Sequence, residues 1–284
     1  MLKNALQKLS PVMQRVVTGT LLIIGLAIVL AIGGWFATLA TAACLLIALH
    51  EELNALRQGG YRPVGWASYV ALVLGAGLVL WHSSVVILPL QVVLIFAVQL
   101  CVMCREEPSL PDIMASVLPL LTLVLPGLCL VGLLDTQPRA LQLMLMVFVF
   151  TTSVGGDTFA YLVGSTVGGP KLCPKISPKK TISGAIGGLL GSVLVTLLAG
   201  LIFQWCVPDF FNGLPVGWAA LAGLFGGIAA QMGDLFASMV KRHCKVKDFG
   251  TIFPGHGGMM DRLDSILFTS IIIFCYRAIL LGWI

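Results

Sequence analysis

Two aspartates three residues apart, Asp261 and Asp264, close the stretch KDFGTIFPGHGGMMDRLD at residues 247–264. On a helix that spacing puts both carboxylates on one face. Carboxylates so placed can share a divalent cation, and Mg²⁺ typically takes one or two protein carboxylates together with phosphate oxygens. The same stretch supplies Lys247, Asp248, His256 and Arg262, and a tight turn of Pro254, Gly255, Gly257 and Gly258 with accessible backbone N–H groups. An acidic residue in a first helical turn complements the helix dipole. That accounts for one aspartate and leaves the basic residues and the His-Gly-Gly turn to be explained.

The other costly residues extend the pattern. An ionisable side chain inside a bilayer costs roughly 2.5–3.5 kcal/mol at the centre, so each needs a reason. Asp234 is followed by Ser238 at i+4 and by Lys241 and Arg242 at i+7 and i+8, which gives one helix a polar stripe. A deep carboxylate with cations nearer the surface suits a metal ion below and phosphates above. Asp157 lies in TTSVGGDTFAYLVGSTVGG, with Tyr161 and Gly164 at helical spacings, so a narrow helix face is open to another helix or a ligand. The linker GGPKLCPKISPKKTISGAIGG gathers Lys171, Lys175, Lys179 and Lys180 among three prolines. It ends at a helix start that Thr181 or Ser183 can cap, and a helix N-terminus favours anions. Glu51 and Glu52 sit beside His50 at the end of an apolar run, with no role set by spacing. There is no Walker loop, no HExxH and no GxSxG, and His50, His82 and His243 lack metal-ligand spacing. His82 reads as a surface residue.

The elements that must hold these groups are membrane helices. Hydrophobic residues are 58% of the chain and charged residues 10%, with a mean hydropathy of +1.01; a soluble domain carries about 25% charged residues. Apolar runs long enough to span recur at 16–33, 35–51, 64–82, 84–104, 113–134, 140–165, 182–206, 215–240 and 265–284. The expected fold class is therefore all-α: a polytopic membrane protein with about nine transmembrane helices. Residues 1–140 are N-terminal membrane helices and 141–284 a C-terminal catalytic region, within one integrated membrane domain. The segment before the first run, with Lys3, Lys8 and Arg15, has no small-residue cleavage pattern after it and reads as a retained helix. Lys and Arg crowd the N-terminus and the linkers after the second, fourth, sixth and eighth runs, while the opposite linkers hold only Arg139. By the positive-inside rule the polar clusters face the cytoplasm and the C-terminus lies outside. Arg277, inside the last run, is close enough to its end to snorkel. The net charge of +5 follows from this topology and from attraction to anionic lipids, and no nucleic-acid-binding pattern is present. The eight cysteines, the Cys101–Cys104 pair included, read as small packing residues.

The run from Ser238 through Lys241, Arg242, Lys247, Asp248, His256, Gly257 and Gly258 to Asp261, Arg262 and Asp264 resembles the signature of the phosphatidate cytidylyltransferases, or CDP-diacylglycerol synthases. Upstream, Gly156 to Gly164 resembles the family's GDxxAYxxG helix and Ser177 to Thr181 its SPKKT loop. Many members continue that loop with an aromatic and then an acidic or amide residue; here Ile182 and Ser183 follow, which leaves the role of 177–183 open. The resemblance covers the C-terminal half tightly and the N-terminal half only as a multispan pattern. It implies transfer of a cytidylyl group from CTP to phosphatidic acid, with Mg²⁺ and with a second cation such as K⁺ left open. Asp234 and Asp261 are the first metal ligands to expect, then Asp264 and Asp157. Lys241, Arg242, Lys247 and Arg262 are expected to hold phosphates, and the Gly257–Gly258 turn to donate N–H groups. Lys179 and Lys180 would close over the nucleotide, with Ser238, Asp248 and His256 also at the site. A homodimer in a bacterial inner membrane is the expected setting. A CTP-dependent lipid kinase and an ion-coupled transporter are the competing readings.

Overall fold

The computed structural model describes residues 11–81, 86–207 and 217–282, with the side chains of residues 11, 12 and 15 left undescribed. Lys3, Lys8 and His82 lie outside the described residues. Nine helices run through the described residues: α1 (Pro11–Ile32), α2 (Gly34–Gln58), α3 (Trp66–Leu80), α4 (Ile87–Met103), α5 (Leu110–Leu134), α6 (Arg139–Val167), α7 (Ile182–Cys206), α8 (Gly217–His243) and α9 (Met260–Leu280). Six of them, α2 and α5 to α9, are long and apolar enough to cross a membrane, and the apolar parts of α1, α3 and α4 are shorter. Among the described residues, six of the expected spans are matched on length and composition. Large apolar side chains stay exposed along these helices, with Trp35, Trp81 and Trp205 each more than three-quarters accessible at or beside helix ends. In water such a surface would be a liability, whereas in a bilayer it faces acyl chains and interfacial headgroups.

These helices pack as two compact units. The first holds residues up to Val131 together with Lys241–Leu263. Its core stacks Leu45, Leu49 and Leu53 of α2, spaced four apart on one face, with Leu120, Leu123 and Val124 of α5, all fully buried. Pro119 and Pro126 bracket the π-helical turn Leu120–Val124 of α5, where Thr122 Oγ1 returns a bond to Leu118 O at 2.9 Å. Two polar linkers are tied by Asp112, which accepts from Arg62 N at 2.8 Å and from Arg105 Nη1 at 3.2 Å.

The second unit holds Gly132–Val240 and residues from Asp264 on. Here α6 and α7 make the most extensive helix pairing among the described residues. They approach closely because glycine removes the side chain at the contact: a Cβ on Gly156 would fall 2.4 Å from Ser192 Oγ, and one on Gly191 2.4 Å from Phe159 Cβ. Hydroxyls bind the seam, Ser192 to Thr152 O at 2.9 Å and Thr152 to Thr196 at 2.7 Å. Ser153 bonds Thr269 of α9 at 2.9 Å. Arg277 does not snorkel freely: its Nε donates to Thr136 Oγ1 at 2.7 Å and its guanidinium lies over the Phe274 ring. The polar linker after α6 is a two-stranded antiparallel hairpin, β1 (Lys171–Cys173) and β2 (Ser177–Thr181), a small exception to an otherwise helical fold. The eight cysteines are free, and Cys244 alone is buried.

Candidate active site

In the second unit, β2 delivers one of its two adjacent lysines to α8. Lys180 forms an ion pair with Asp234 Oδ2, and Ser238 Oγ lies 3.4 Å from Asp234 Oδ1. Alternate strand residues point to opposite sides, so Lys179 faces away and is exposed. The hairpin then enters α7 through Thr181, whose Oγ1 accepts from Gly184 N at 3.1 Å as an N-cap. Ser183 instead bonds Gly168 O. Asp157 is exposed on α6, and Gly164 on the same helix packs against Gly184. Asp264 Oδ1 accepts from Ser265 N at 2.8 Å.

In the first unit, α8 ends at His243 with three basic residues in its last turn, which the helix dipole favours. Val246 N bonds Lys241 O at 2.9 Å and Lys245 N bonds Arg242 O at 3.1 Å, with Lys245 at φ 58°. This is a Schellman ending with lysine where glycine is usual. It releases the chain into the loop that carries Lys247, Asp248 and the His-Gly-Gly turn. Lys247, Asp248 and Arg242 are exposed, as is Arg262, while His256 is half-buried. Gly255 and Gly257 have φ of 76° and 82°, and Phe253 N bonds Gly257 O at 2.9 Å to close the turn. L-residues rarely adopt such φ values.

Asp261 is the hub of this turn. Its Oδ1 accepts from Lys241 Nζ at 2.7 Å, and its Oδ2 accepts from Phe249 N at 2.8 Å and Gly258 N at 2.9 Å. Lys241 also lies 5.3 Å above the Phe249 ring. The Gly258 N–H is therefore directed at Asp261. Beside the turn is a cavity of about 370 Å³ lined by Gln14, Asp248, Gly250, Thr251, Phe253, Pro254, Gly255 and Gly257. Thr18 of α1 closes on the loop through a 3.2 Å bond to Pro254 O.

Two features are not legible from residue spacing. Glu51 of α2 accepts from Met260 N at 2.9 Å through Oε2. Tyr61 stacks on His243, centroids 5.8 Å apart, and its hydroxyl bonds His243 Nε2. The only hint of Glu51 in the sequence is the cost of a carboxylate pair at the end of an apolar run. Next to His243, burial and the charge of Glu52 push the Cys244 thiol above its ordinary pKa.

No group of three or more His, Cys, Asp or Glu side chains that could hold a metal occurs among the described residues. Asp234 is partly accessible and paired with Lys180, whereas Asp261 is deeply buried with both oxygens engaged.

The pattern that defines the Cytidylyltransferase family matches residues 13–280. The chain belongs to this family. Among similar cytidylyltransferases, the phosphatidate cytidylyltransferase of Synechocystis sp. is 29% identical over 94% of this chain and 97% of its own length. The Rickettsia bellii phosphatidate cytidylyltransferase is 35% identical over 70% of this chain and 87% of its own. Phosphatidate cytidylyltransferase 4, chloroplastic, of Arabidopsis thaliana is 30% identical over 95% and 74%. The cytidylyltransferase match begins in α1 and ends in α9, so it takes in both compact units.

Proposed function

We propose that the protein transfers a cytidylyl group from CTP to phosphatidic acid, releasing pyrophosphate and forming CDP-diacylglycerol for phospholipid synthesis. The observation that carries this reading is the family match over residues 13–280, joined to relatives of that name aligned over nearly the whole chain. A lipid phosphate oxygen attacks the α-phosphorus of CTP, the bond from that phosphorus to the bridging oxygen breaks, and pyrophosphate leaves with the electron pair. Such a transfer depends on positioning and charge neutralisation more than on a protein nucleophile.

Asp234 and Asp261, with Asp264 and Asp157 behind them, are the carboxylates proposed to hold Mg²⁺, and K⁺ is the candidate second cation. When bound, Mg²⁺ neutralises phosphate oxygens as a Lewis acid. The chain's own cations do the remaining work. Lys180 and Lys241 exchange carboxylate partners for substrate phosphates as these arrive, and exposed Lys179, Arg242, Lys247 and Arg262 add positive potential around them. Ser238 keeps Asp234 oriented, Asp248 and the Gly257 backbone border the cavity, and His256 positions the leaving pyrophosphate. Nine crossings, six long and three short, bring all these groups to the cytoplasmic face of a bacterial inner membrane, where CTP is available. The 1–140 and 141–284 regions work there as one membrane domain, and the protein acts as a homodimer.

The test supplies purified protein with phosphatidic acid, Mg²⁺ and CTP labelled at the α- or the γ-phosphate. Label entering the lipid from the α position is expected. Label from the γ position would make the protein a lipid kinase, and label from neither, in folded protein, would favour a transporter.

A further inference from the structure

Helix α9 begins at Met260; Arg262 N and Leu263 N bond Met259 O, which leaves the Met260 N–H to find its acceptor elsewhere. A serine, threonine or aspartate just ahead of the helix would cap it at little cost, but the chain has Gly257, Gly258 and Met259 there. The acceptor comes instead from Glu51, 209 residues earlier on α2, whose Oε2 lies 2.9 Å from Met260 N. Glu51 is 6% exposed, and its Oε1 is buried with no hydrogen-bond partner. Burying a carboxylate this way is expensive, so the position calls for more than a cap.

The contacts around that carboxylate supply the reason. A Cβ on Gly250 would fall 2.0 Å from Glu51 Oε1, and one on Gly258 would fall 2.4 Å from Oε2. Both glycines leave room that the carboxylate fills. The same two segments are held by Asp261, through Phe249 N and Gly258 N. One carboxylate fixes where the turn sits, while the other is aimed by it.

We infer that Glu51 is a positioning residue for the site: its carboxylate, seated between Gly250 and Gly258 and bonded to Met260 N, sets the 248–261 turn and thereby orients Asp261 toward Lys241. Glu51 touches no substrate. It acts through the backbone, so an acceptor oxygen at full side-chain length is what matters, and the negative charge is not.

The activity arm of the test rests on the cytidylyl-transfer reading; the exchange arm does not. Glu51→Gln, Glu51→Asp and Glu51→Ala are compared for transfer of α-labelled CTP and for hydrogen–deuterium exchange in detergent. Glutamine keeps an oxygen for Met260 N–H and is expected to hold kcat within threefold of the parent. Aspartate, one methylene short, and alanine are expected to lower kcat at least tenfold with KM for CTP within twofold. Amides in 248–261 should exchange at least tenfold faster in those two variants, while α3 and α4 keep their protection. If alanine does not yield folded protein, aspartate carries the comparison. Gly258→Ala, which puts a methyl where the carboxylate sits, should match Glu51→Ala, and the double variant should lose no more than either single change.

Parent-like kcat and exchange in the aspartate variant would overturn the inference. So would a glutamine variant as impaired as alanine, since charge would then be the requirement, and so would exchange that rises equally across the first unit. A parent protein with no transfer activity would sink the functional reading while leaving the exchange comparison to decide the role of Glu51.

Discussion

Lys241 Nζ stands 2.7 Å from Asp261 Oδ1, and the two side chains are only 13% and 3% exposed. Removing one member of such a pair strands a charge, at about 3–5 kcal/mol for a fully buried case. Lys241→Met is therefore expected to lower stability by about 3 kcal/mol and turnover by about 100-fold, the scale of losing one strong electrostatic contact. Thermal unfolding in detergent and initial rates check both; a variant as stable and active as the parent would remove Lys241 from the site.

The Lys180–Asp234 pair should behave differently because both side chains are about a quarter to a third exposed. Partly solvated pairs contribute about 0–1 kcal/mol. Lys180→Ala is expected to leave the unfolding midpoint nearly unchanged yet reduce turnover about tenfold or more. Asp234→Asn should fall by about 100-fold and stay low across a Mg²⁺ titration. Normal rates for Asp234→Asn at ordinary Mg²⁺ would refute its assignment as a metal ligand.

Gly233 offers a test of packing in the second unit. A Cβ there would lie 2.5 Å from Asp264 O and 2.9 Å from Phe268 Cδ2, and backbone cannot yield as a flexible side chain can. Gly233→Ala should cost about 1–3 kcal/mol by overpacking. Gly77, with nothing within 4 Å, is the control: its alanine variant should be neutral or slightly more stable. Equal unfolding midpoints for the two variants would refute the close α8–α9 approach.

Cys244 predicts a pH dependence. Its raised pKa means less thiolate at any given pH, and the thiolate is the reactive form. Native protein at mildly alkaline pH should alkylate at exposed Cys101 and Cys104 while Cys244 reacts only after denaturation. Because the unfolded chain gives up this proton first, stability from Cys244 is present below the unfolded thiol's pKa and declines as pH rises through the folded value. Rapid native labelling of Cys244, read by mass spectrometry, would contradict its burial.

The sequence revealed what local spacing controls. Apolar runs disclose the membrane helices, and capping involves neighbours, so the sequence narrows the α7 cap to Thr181 or Ser183, of which Thr181 serves. The Asp234–Ser238 pairing is an i,i+4 relation and was equally visible. The partnerships that build the turn are not local. Thr18 reaches Pro254, Tyr61 reaches His243 and Glu51 reaches Met260 across about two hundred residues, and no periodicity encodes such pairings. The i,i+3 spacing of Asp261 and Asp264 likewise gives no hint that Asp261 bonds Lys241 and two backbone N–H groups or that Asp264 bonds Ser265 N. Apolar length sets helix ends only loosely, since α3 and α4 are shorter than the apolar runs that contain them.

The glycine-lined seam between α6 and α7 bears on how the chain is made. Helices that meet in lipid gain little from expelling water, so close backbone approach and interhelical hydroxyl bonds must hold them. Here both are supplied within consecutive helices joined by a short hairpin. This pair can therefore assemble in the bilayer as it leaves the insertion machinery, before α8 and α9 have been synthesised. It would serve as a ready template for the helices that follow.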